Sequence, residues 1–142
     1  MSTDGFSKIA VIGAGTMGSG IAAQIANAGH EVMLLDLPAR EGADKSPAEM
    51  AIDRLMASDP PQLMHKRNAG RIVTGTISDD FGKLAECDWI IEAVVERLDI
   101  KKDLYARLDD TIGPDCIVSS NTSTIPISLL VEDMPTAFRK RF

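Results

Sequence analysis

The sequence predicts a doubly wound α/β fold, in which a parallel β-sheet carries helices on both faces. Short apolar segments rich in β-branched residues recur along the chain, and this near-continuous hydrophobicity is typical of strands buried on both faces. Segments with helical periodicity lie between them, an alternation that favours right-handed βαβ units. The predicted strand segments are residues 9–12, 32–35, 72–73, 89–91 and 117–118.

The predicted helices have start signals or apolar faces. The helix after the first strand should span residues 16–29, because its apolar residues recur every three or four positions. Those residues are Met17, Ile21, Ile25 and Ala28. Ser46 and Glu49 have the spacing of a capping box and predict the start of a second helix. Asp99 is the expected N-cap of a third helix.

Length and composition predict one domain over residues 1–142. Of the 142 residues, 44% are hydrophobic and 25% charged, values close to those of average globular proteins. A formal net charge of −6 argues against nucleic acid as a partner. No apolar run reaches the roughly 20 residues of a membrane span. The stretch from about 38 to 71 is expected to be a helical insertion between the second and third strands.

Cysteine usage and the N-terminal segment favour a cytoplasmic protein. Cys87 and Cys116 are far apart and lack the spacing of metal ligands, so neither a zinc site nor a disulfide framework is predicted. The first residues lack the basic, apolar and cleavage regions of a signal peptide. We therefore expect a reducing, cytosolic environment.

A glycine-rich loop follows the first predicted strand and has the pattern G-x-G-x-x-G. In this pattern Gly13 permits a tight turn, Gly15 lets the backbone approach a pyrophosphate, and Gly18 lets the helix pack close to the strand. The start of the helix adds N–H groups and a positive dipole end that favour an anion. The loop therefore predicts a dinucleotide site. The residues expected to contact the cofactor are Gly13, Gly15, Thr16, Met17 and Gly18.

Asp36 ends the second predicted strand, eighteen residues after Gly18. A carboxylate here accepts hydrogen bonds from the ribose hydroxyls of adenosine and repels a 2′-phosphate. NAD is therefore favoured over NADP as the cofactor. Arg40 follows four residues later, so weak use of NADP stays open.

Two other classes of oxidoreductase are less consistent with the sequence. Short-chain dehydrogenases require Y-x-x-x-K, but Tyr105 is the only tyrosine and Asp109 stands at the lysine position. A flavoprotein is compatible with the glycine loop alone, although no second flavin-binding segment is evident.

Three segments together suggest a particular family: IGAGTMGSGIA at 12–22, IEAVVE at 91–96 and SSNTSTIPI at 119–127. They resemble the NAD-binding domain of the L-3-hydroxyacyl-CoA dehydrogenases of fatty-acid β-oxidation, and the similarity spans essentially the whole chain. The resemblance implies a Rossmann fold that binds NAD, in an enzyme oxidising (S)-3-hydroxyacyl-CoA to 3-ketoacyl-CoA. The insertion looks closest to forms in which this domain is the N-terminal part of a longer multifunctional polypeptide.

The resemblance also implies roles for three further residues. Glu96 and Lys101 match family residues that line the nicotinamide side of the cofactor, and Ser123 matches the serine that holds the substrate's 3-hydroxyl or carbonyl oxygen. Both segments follow predicted strands, so they should lie at the carboxyl edge of the sheet, where ligands of open α/β folds bind. The alternatives are a solvated ion pair for Glu96 and Lys101, and a turn or N-cap residue for Ser123.

A basic cluster on the insertion is a candidate for contact with the coenzyme A of an acyl-CoA substrate. It is the one concentration of positive charge in an acidic chain, and the corresponding arm of the family contacts coenzyme A. A solvated basic face is the alternative, and no single residue is assigned as a ligand. The cluster consists of His65, Lys66, Arg67 and Arg71.

Neither histidine is expected to be the catalytic base that removes the hydroxyl proton. His30 precedes the second strand, at the amino edge of the sheet, and His65 lies on the insertion. The resemblance places the base beyond Phe142. We therefore expect a domain that lacks its last strand, its base and the helical second domain through which family members form homo-oligomers. Alone, it should be inactive.

Two alternative functions stay open at this point. One is a free-standing NAD-binding or regulatory module, and the other is a related dehydrogenase that acts on 3-hydroxybutyryl-CoA or a sugar acid.

Overall fold

The computed structural model describes residues 5–142, and within them five short strands form one sheet in which every neighbouring pair is parallel. The strands are β1 (Ile9–Ile12), β2 (Val32–Asp36), β3 (Ile72–Thr76), β4 (Trp89–Glu92) and β5 (Ile117–Ser120). Their order is β3-β2-β1-β4-β5, so the direction of winding reverses at β1. This confirms the predicted doubly wound fold and leaves a crevice at the carboxyl end of β1.

Helices cover both faces of the sheet. They are α1 (Thr16–Asn27), α2 (Pro47–Ala57), α3 (Leu98–Thr111) and the single turns α4 (Ile127–Leu130) and α5 (Thr136–Arg139). Two 3-10 helices, at Lys66–Arg71 and Phe81–Glu86, precede β3 and β4. Within the described residues, no helix is long and apolar enough to cross a membrane.

The strands are buried on both faces because they separate two layers of core. Ile9 and Val11 of β1 pack into the cluster formed with α1 and α2, whereas Ala10 and Ile12 pack into the cluster formed with α3. Successive side chains of a strand point to opposite faces. The near-continuous apolar segments of the sequence therefore reflect two cores that share one sheet.

Helix α1 packs on the sheet through its small residues rather than through the apolar residues that marked it in the sequence. Met17 is 59% exposed, and Ile21 and Ile25 are only partly buried. The buried residues are Gly18, Ser19, Ala22, Ala23 and Ala26. Small side chains let the helix approach the strands closely, which the glycine loop at its start requires.

One predicted helix start is confirmed and another is wrong. Ser46 Oγ accepts the Glu49 N–H, and Glu49 Oε2 accepts the Ser46 N–H, which completes the capping box of α2. Helix α3 begins at Leu98, with Arg97 at its N-cap, so Asp99 lies inside the first turn. There its carboxylate accepts a hydrogen bond from Arg97 and interacts favourably with the positive end of the helix dipole.

Candidate functional site

A cleft of about 710 Å³ opens at the carboxyl edge of the sheet, at the point where the winding reverses. The predicted site residues that line it are Gly13, Gly15, Thr16, Met17, Asp36, Glu96, Lys101 and Ser123. Gly18 is buried beneath the loop. The structure therefore brings together residues from β1, β2, β4 and β5 that are more than 100 positions apart in the sequence.

Two glycines of the loop are required by its backbone. Gly13 has a φ of +110°, and a Cβ atom there would collide with the carbonyl oxygen of Ala93. A Cβ atom at Gly18 would collide with the carbonyl oxygen of Gly13 itself. Both residues are therefore needed for the tight passage from β1 into α1.

Gly15 differs from Gly13 and Gly18 because a Cβ atom there would meet no atom of the described residues within 4 Å. Its φ of −72° is open to any residue, and it is the N-cap of α1 without a side-chain cap. The fold therefore does not need a glycine at this position. Free space in front of uncapped helical N–H groups fits a pyrophosphate.

Asp36 is held directly beside the glycine loop. Its Oδ2 atom accepts the Ala14 N–H and its Oδ1 atom accepts the Leu37 N–H, both at 2.6 Å. Each carboxylate oxygen can accept a second hydrogen bond, which leaves capacity for ribose hydroxyls. Arg54 of α2 braces the same loop by donating to the Ala14 carbonyl at 2.8 Å. Arg40 is exposed and does not line the cleft.

The opposite side of the cleft rests on a buried carboxylate that the sequence analysis did not single out. Glu92, the last residue of β4, is completely buried, and its two oxygens accept four hydrogen bonds. The donors are Lys101 Nζ at 2.7 Å, the Val94 N–H at 2.9 Å, Tyr105 Oη at 2.5 Å and Ser120 Oγ at 2.7 Å. A buried charge is tolerated only when it is paired and fully hydrogen-bonded in this way.

Lys101 is the ionic partner of Glu92 and is only 1% exposed. Its ammonium also lies 3.4 Å from Glu96 Oε1, so one cation lies between two carboxylates. Lys101 is therefore not part of a solvated pair. The signal that could have found Glu92 is a charged residue ending the otherwise apolar strand Trp-Ile-Ile-Glu.

Glu96 ties the loop after β5 to the loop after β4. Its carboxylate accepts the Ser123 N–H at 3.0 Å and the Thr122 hydroxyl at 2.8 Å. These hydrogen bonds, followed by the nearby charge of Lys101, lower the pKa of Glu96 from 4.5 to about 2. Ser123 is thus placed through its backbone, with its side chain on the cleft wall. It is not the N-cap of α4, which is Pro126.

Tyr105 stabilises the hydrogen-bond network around Glu92. Burial, together with the hydrogen bond to Glu92, raises the pKa of its phenol, which therefore stays a donor. Its ring packs against Phe138 and Phe142, with centroid distances of 6.1 and 5.1 Å. Glu92 therefore has a hydroxyl donor that is fixed by aromatic packing.

Beyond Asp36 the cleft is lined by apolar residues and one guanidinium. Leu37 and Ile77 lie on the β2 and β3 side, and Arg107 of α3 faces them. The Arg107 guanidinium lies 4.1 Å above the ring centre of Phe81. The sequence analysis assigned Arg107 no role, because its position on the helix face becomes meaningful only once α3 is placed against β3.

Neither histidine lines the cleft. His30 lies at the amino edge, on a separate hollow of about 420 Å³ beside Phe6 and Trp89, as expected from its position before β2. His65 is the N-cap of a 3-10 helix, where its Nδ1 atom accepts the Arg67 N–H. The basic cluster lies on this 3-10 helix, and its side chains are not part of the cleft wall.

The glycine loop, the uncapped start of α1 and the carboxylate at the end of β2 define a dinucleotide-binding Rossmann domain. A family profile described as "3-hydroxyacyl-CoA dehydrogenase, NAD binding domain" matches residues 8–141. The chain belongs to this family. The family resemblance and the cofactor NAD, both predicted from the sequence, are thereby confirmed.

The relatives are longer proteins. A probable 3-hydroxyacyl-CoA dehydrogenase of Deinococcus radiodurans is 40% identical over 136 residues, which cover 95% of this chain and 39% of that protein. A putative fatty acid oxidation complex trifunctional enzyme of Rickettsia felis is also 40% identical over 136 residues, covering 95% and 19%. The crystal structure of 3-hydroxybutyryl-CoA dehydrogenase from Escherichia coli K12 has a TM-score of 0.77 and 33% identity, covering 95% and 28%. The chain spans less than half the length of each.

Proposed function

We propose that this chain binds NAD(H) across the cleft, as the cofactor domain of an enzyme that oxidises (S)-3-hydroxyacyl-CoA to 3-ketoacyl-CoA. The observation that carries the proposal is the pairing of open space at Gly15 with the Asp36 carboxylate beside it. A pyrophosphate and an adenosine ribose need these two features next to each other.

The adenosine half of the cofactor is assigned to the β2 side of the cleft. Asp36 accepts the ribose hydroxyls with the acceptor capacity that Ala14 and Leu37 leave free. The same charge repels a 2′-phosphate, which supports a preference for NAD over NADP. Gly13, Thr16, Met17 and Gly18 complete the loop around the pyrophosphate.

The nicotinamide half is assigned to the β4 and β5 side, where Glu96, Lys101 and Ser123 meet. Bound NAD+ supplies a hydride acceptor for C3 of the substrate. The Ser123 hydroxyl donates a hydrogen bond to the 3-oxygen and orients it, which is the role we assign to Ser123 as a catalytic residue. Glu96 positions Ser123 through its backbone N–H.

We assign the base for the hydroxyl proton to residues outside this chain. Neither histidine lines the cleft, and the low pKa of Glu96, about 2, makes it a poor proton acceptor near neutrality. We therefore propose that the chain alone is inactive and that the longer protein supplies the base. The absence of a positioned base typically costs about 10²–10⁴ in rate.

The choice among substrates follows the relatives. Named relatives include probable 3-hydroxyacyl-CoA dehydrogenases and a 3-hydroxybutyryl-CoA dehydrogenase, so a short-chain 3-hydroxyacyl-CoA is the second candidate substrate. The exposed Lys66 and Arg67 remain candidates for the phosphates of coenzyme A. Arg71 is instead hydrogen-bonded to Asn68. A cytoplasmic location and homo-oligomers formed through a second domain complete the proposal.

Two measurements test the proposed function. Calorimetric titration should show NADH binding to the unaltered chain, with much weaker binding of NADPH. An absorbance assay with NAD+ and a short 3-hydroxyacyl-CoA should show no enzyme-like turnover by this chain, but turnover by the full-length protein. Binding of NADH without turnover by the full-length protein would favour a regulatory module, and turnover by the chain alone would contradict the assignment of the base.

A further inference from the structure

Lys101 lines the part of the cleft that is assigned to the nicotinamide ring, and its buried ammonium lies 3.4 Å from Glu96 Oε1. NAD+ and NADH differ at this ring, which carries a positive charge in the oxidised form and none in the reduced form. An uncompensated ammonium on this wall would repel the oxidised ring and leave the reduced ring almost unaffected. The wall therefore needs a way to neutralise Lys101.

Glu96 alone is not well suited to compensate Lys101. The distance between Glu96 Oε1 and Lys101 Nζ is 3.4 Å, and 35% of the Glu96 side chain is exposed. Its oxygens are also engaged by Thr122 and Ser123. Water screens an exposed carboxylate, so its effect on a neighbouring cation is modest.

Glu92 is closer to the Lys101 ammonium than Glu96 is, and it is fully buried. Its Oε2 atom lies 2.7 Å from Lys101 Nζ, and both side chains are buried, at 0% and 1% exposure. The same Oε2 atom also accepts the Val94 N–H, and both of its partners can only donate, while Oε1 is engaged by the hydroxyls of Tyr105 and Ser120. The pair lies where solvent screening is weakest.

We propose that Glu92 determines the preference of this cleft between oxidised and reduced cofactor, because its buried charge compensates Lys101 beside the ring. The proposal rests on the proposed binding of NAD(H) with the nicotinamide on the β4 and β5 side. Glu92 itself touches no ligand. It acts through Lys101, as a positioning residue whose charge is part of its role.

The test is the ratio of the dissociation constants of NAD+ and NADH, measured by calorimetry on the 142-residue chain. Glu92→Gln keeps the size of the side chain and removes its charge. It should weaken NAD+ binding about tenfold relative to NADH binding, the size expected of one unit charge a few ångströms from the ring in a partly solvated cleft. Glu86→Gln removes the same charge from an exposed site at the amino edge, and it should leave the ratio unchanged.

Two more variants separate charge from packing. Tyr105→Phe removes a donor to Glu92 but keeps the charge, so the ratio should stay within about twofold of the unaltered chain. Glu92→Gln combined with Lys101→Met removes both charges. This double variant should return the ratio at least to that of the unaltered chain, even if both affinities fall.

Each outcome decides the proposal. A shifted ratio in Glu92→Gln that the double variant reverses supports it. An unshifted ratio in Glu92→Gln overturns it, as does a shift of the same size in Tyr105→Phe. If Glu92→Gln does not fold, NAD+ binding that is selectively weakened in the double variant or in Tyr105→Phe still overturns the proposal. If the unaltered chain binds neither form, the proposed function fails instead.

Discussion

The two sides of the cleft differ in whether backbone or side chains form the site. On the β2 side, the site consists mainly of backbone: a tight turn at Gly13, free space at Gly15 and one carboxylate, Asp36. On the β4 and β5 side, it consists of side chains that hold one another, with Glu92 at the centre. The first side follows from the steric properties of a short motif, whereas the second depends on contacts between distant residues.

This difference predicts different responses to substitution. A backbone-built site fails when a side chain fills its space, while the rest of the fold persists. A side-chain network loses stability when one donor is removed, because the buried acceptor is left incompletely satisfied. The predictions below separate the two sides, from the largest expected effect to the smallest.

Gly18→Val should prevent folding. A Cβ atom at Gly18 would collide with the Gly13 carbonyl oxygen, and no flexible side chain is there to move aside. The expected loss exceeds the roughly 4–5 kcal/mol that marks an exceptional single substitution. Circular dichroism during heating should show no cooperative transition, and a transition near that of the unaltered chain would contradict the steric account.

Gly15→Val should abolish cofactor binding and leave the fold intact. A Cβ atom at Gly15 meets no atom of residues 5–142 within 4 Å, and the valine side chain extends into the space assigned to the pyrophosphate. NADH affinity should fall at least about 100-fold, and the thermal transition should move by no more than a few degrees. Gly70→Val is a matched control, because the space there is also open but lies away from the cleft. Retained NADH binding by Gly15→Val would show that the loop is only a turn.

Tyr105→Phe should reduce stability with little effect on NADH affinity. Removing the phenol leaves Glu92 without one of its four donors, which typically costs about 1–3 kcal/mol in the free energy of unfolding. Thr111→Val, which removes an exposed hydroxyl that caps no buried charge, should change stability by less than about 0.5 kcal/mol. Urea unfolding measures the free energy of unfolding of both variants. Equal losses of stability in the two would show that the hydrogen bond from Tyr105 to Glu92 does not contribute to stability.

Asp36→Asn should reduce the preference for NADH over NADPH. The charge that repels a 2′-phosphate is lost, while an amide oxygen still accepts hydrogen bonds. The ratio of the two affinities should change by about 1–3 kcal/mol, the range for charge-assisted hydrogen bonds. Calorimetric titration gives the ratio directly, and NADPH bound as tightly as NADH by the unaltered chain would contradict the role of Asp36.

Glu96 should make a small contribution to the pH dependence of stability. Its pKa is about 2 in the folded chain, against 4.5 for a free side chain. A depressed pKa stabilises the folded state above the unfolded pKa, and this contribution is lost as pH falls from about 4.5 towards 2. Glu96→Gln should flatten the stability profile in this window only. A profile equal to that of the unaltered chain would show that the hydrogen bonds to Thr122 and Ser123 do not persist.

The sequence predicted what depends on local pattern. The sheet, the capping box of Ser46 and the glycine loop follow from short-range sterics and burial. The third strand was predicted as residues 72–73 but continues to Thr76. Its second half, Thr74 to Thr76, is polar or lacks a side chain, and it is ordered by pairing with β2. The residues of the segment alone do not predict such long-range pairing.

The site was predicted only in part for the same reason. Asp36 and the glycines lie at fixed positions in one motif, so their proximity could be inferred. The contacts of Glu92 with Tyr105 and Ser120 join β4, α3 and β5, and no local pattern encodes them. A charged residue at the end of an apolar strand was the one visible sign. Asp99 was misplaced because its spacing suits both an N-cap and a first-turn acid.

The central claim is that the two sides of the cleft bind the two halves of one NAD(H) molecule. Two backbone amides report on the two sides, since the Leu37 N–H is bonded to Asp36 and the Ser123 N–H to Glu96. An NMR titration of the isotope-labelled chain with NADH follows both amides at once. Both signals should shift along one saturation curve with a common dissociation constant. A shift of Leu37 with no change at Ser123, or saturation at two different concentrations, would contradict the account.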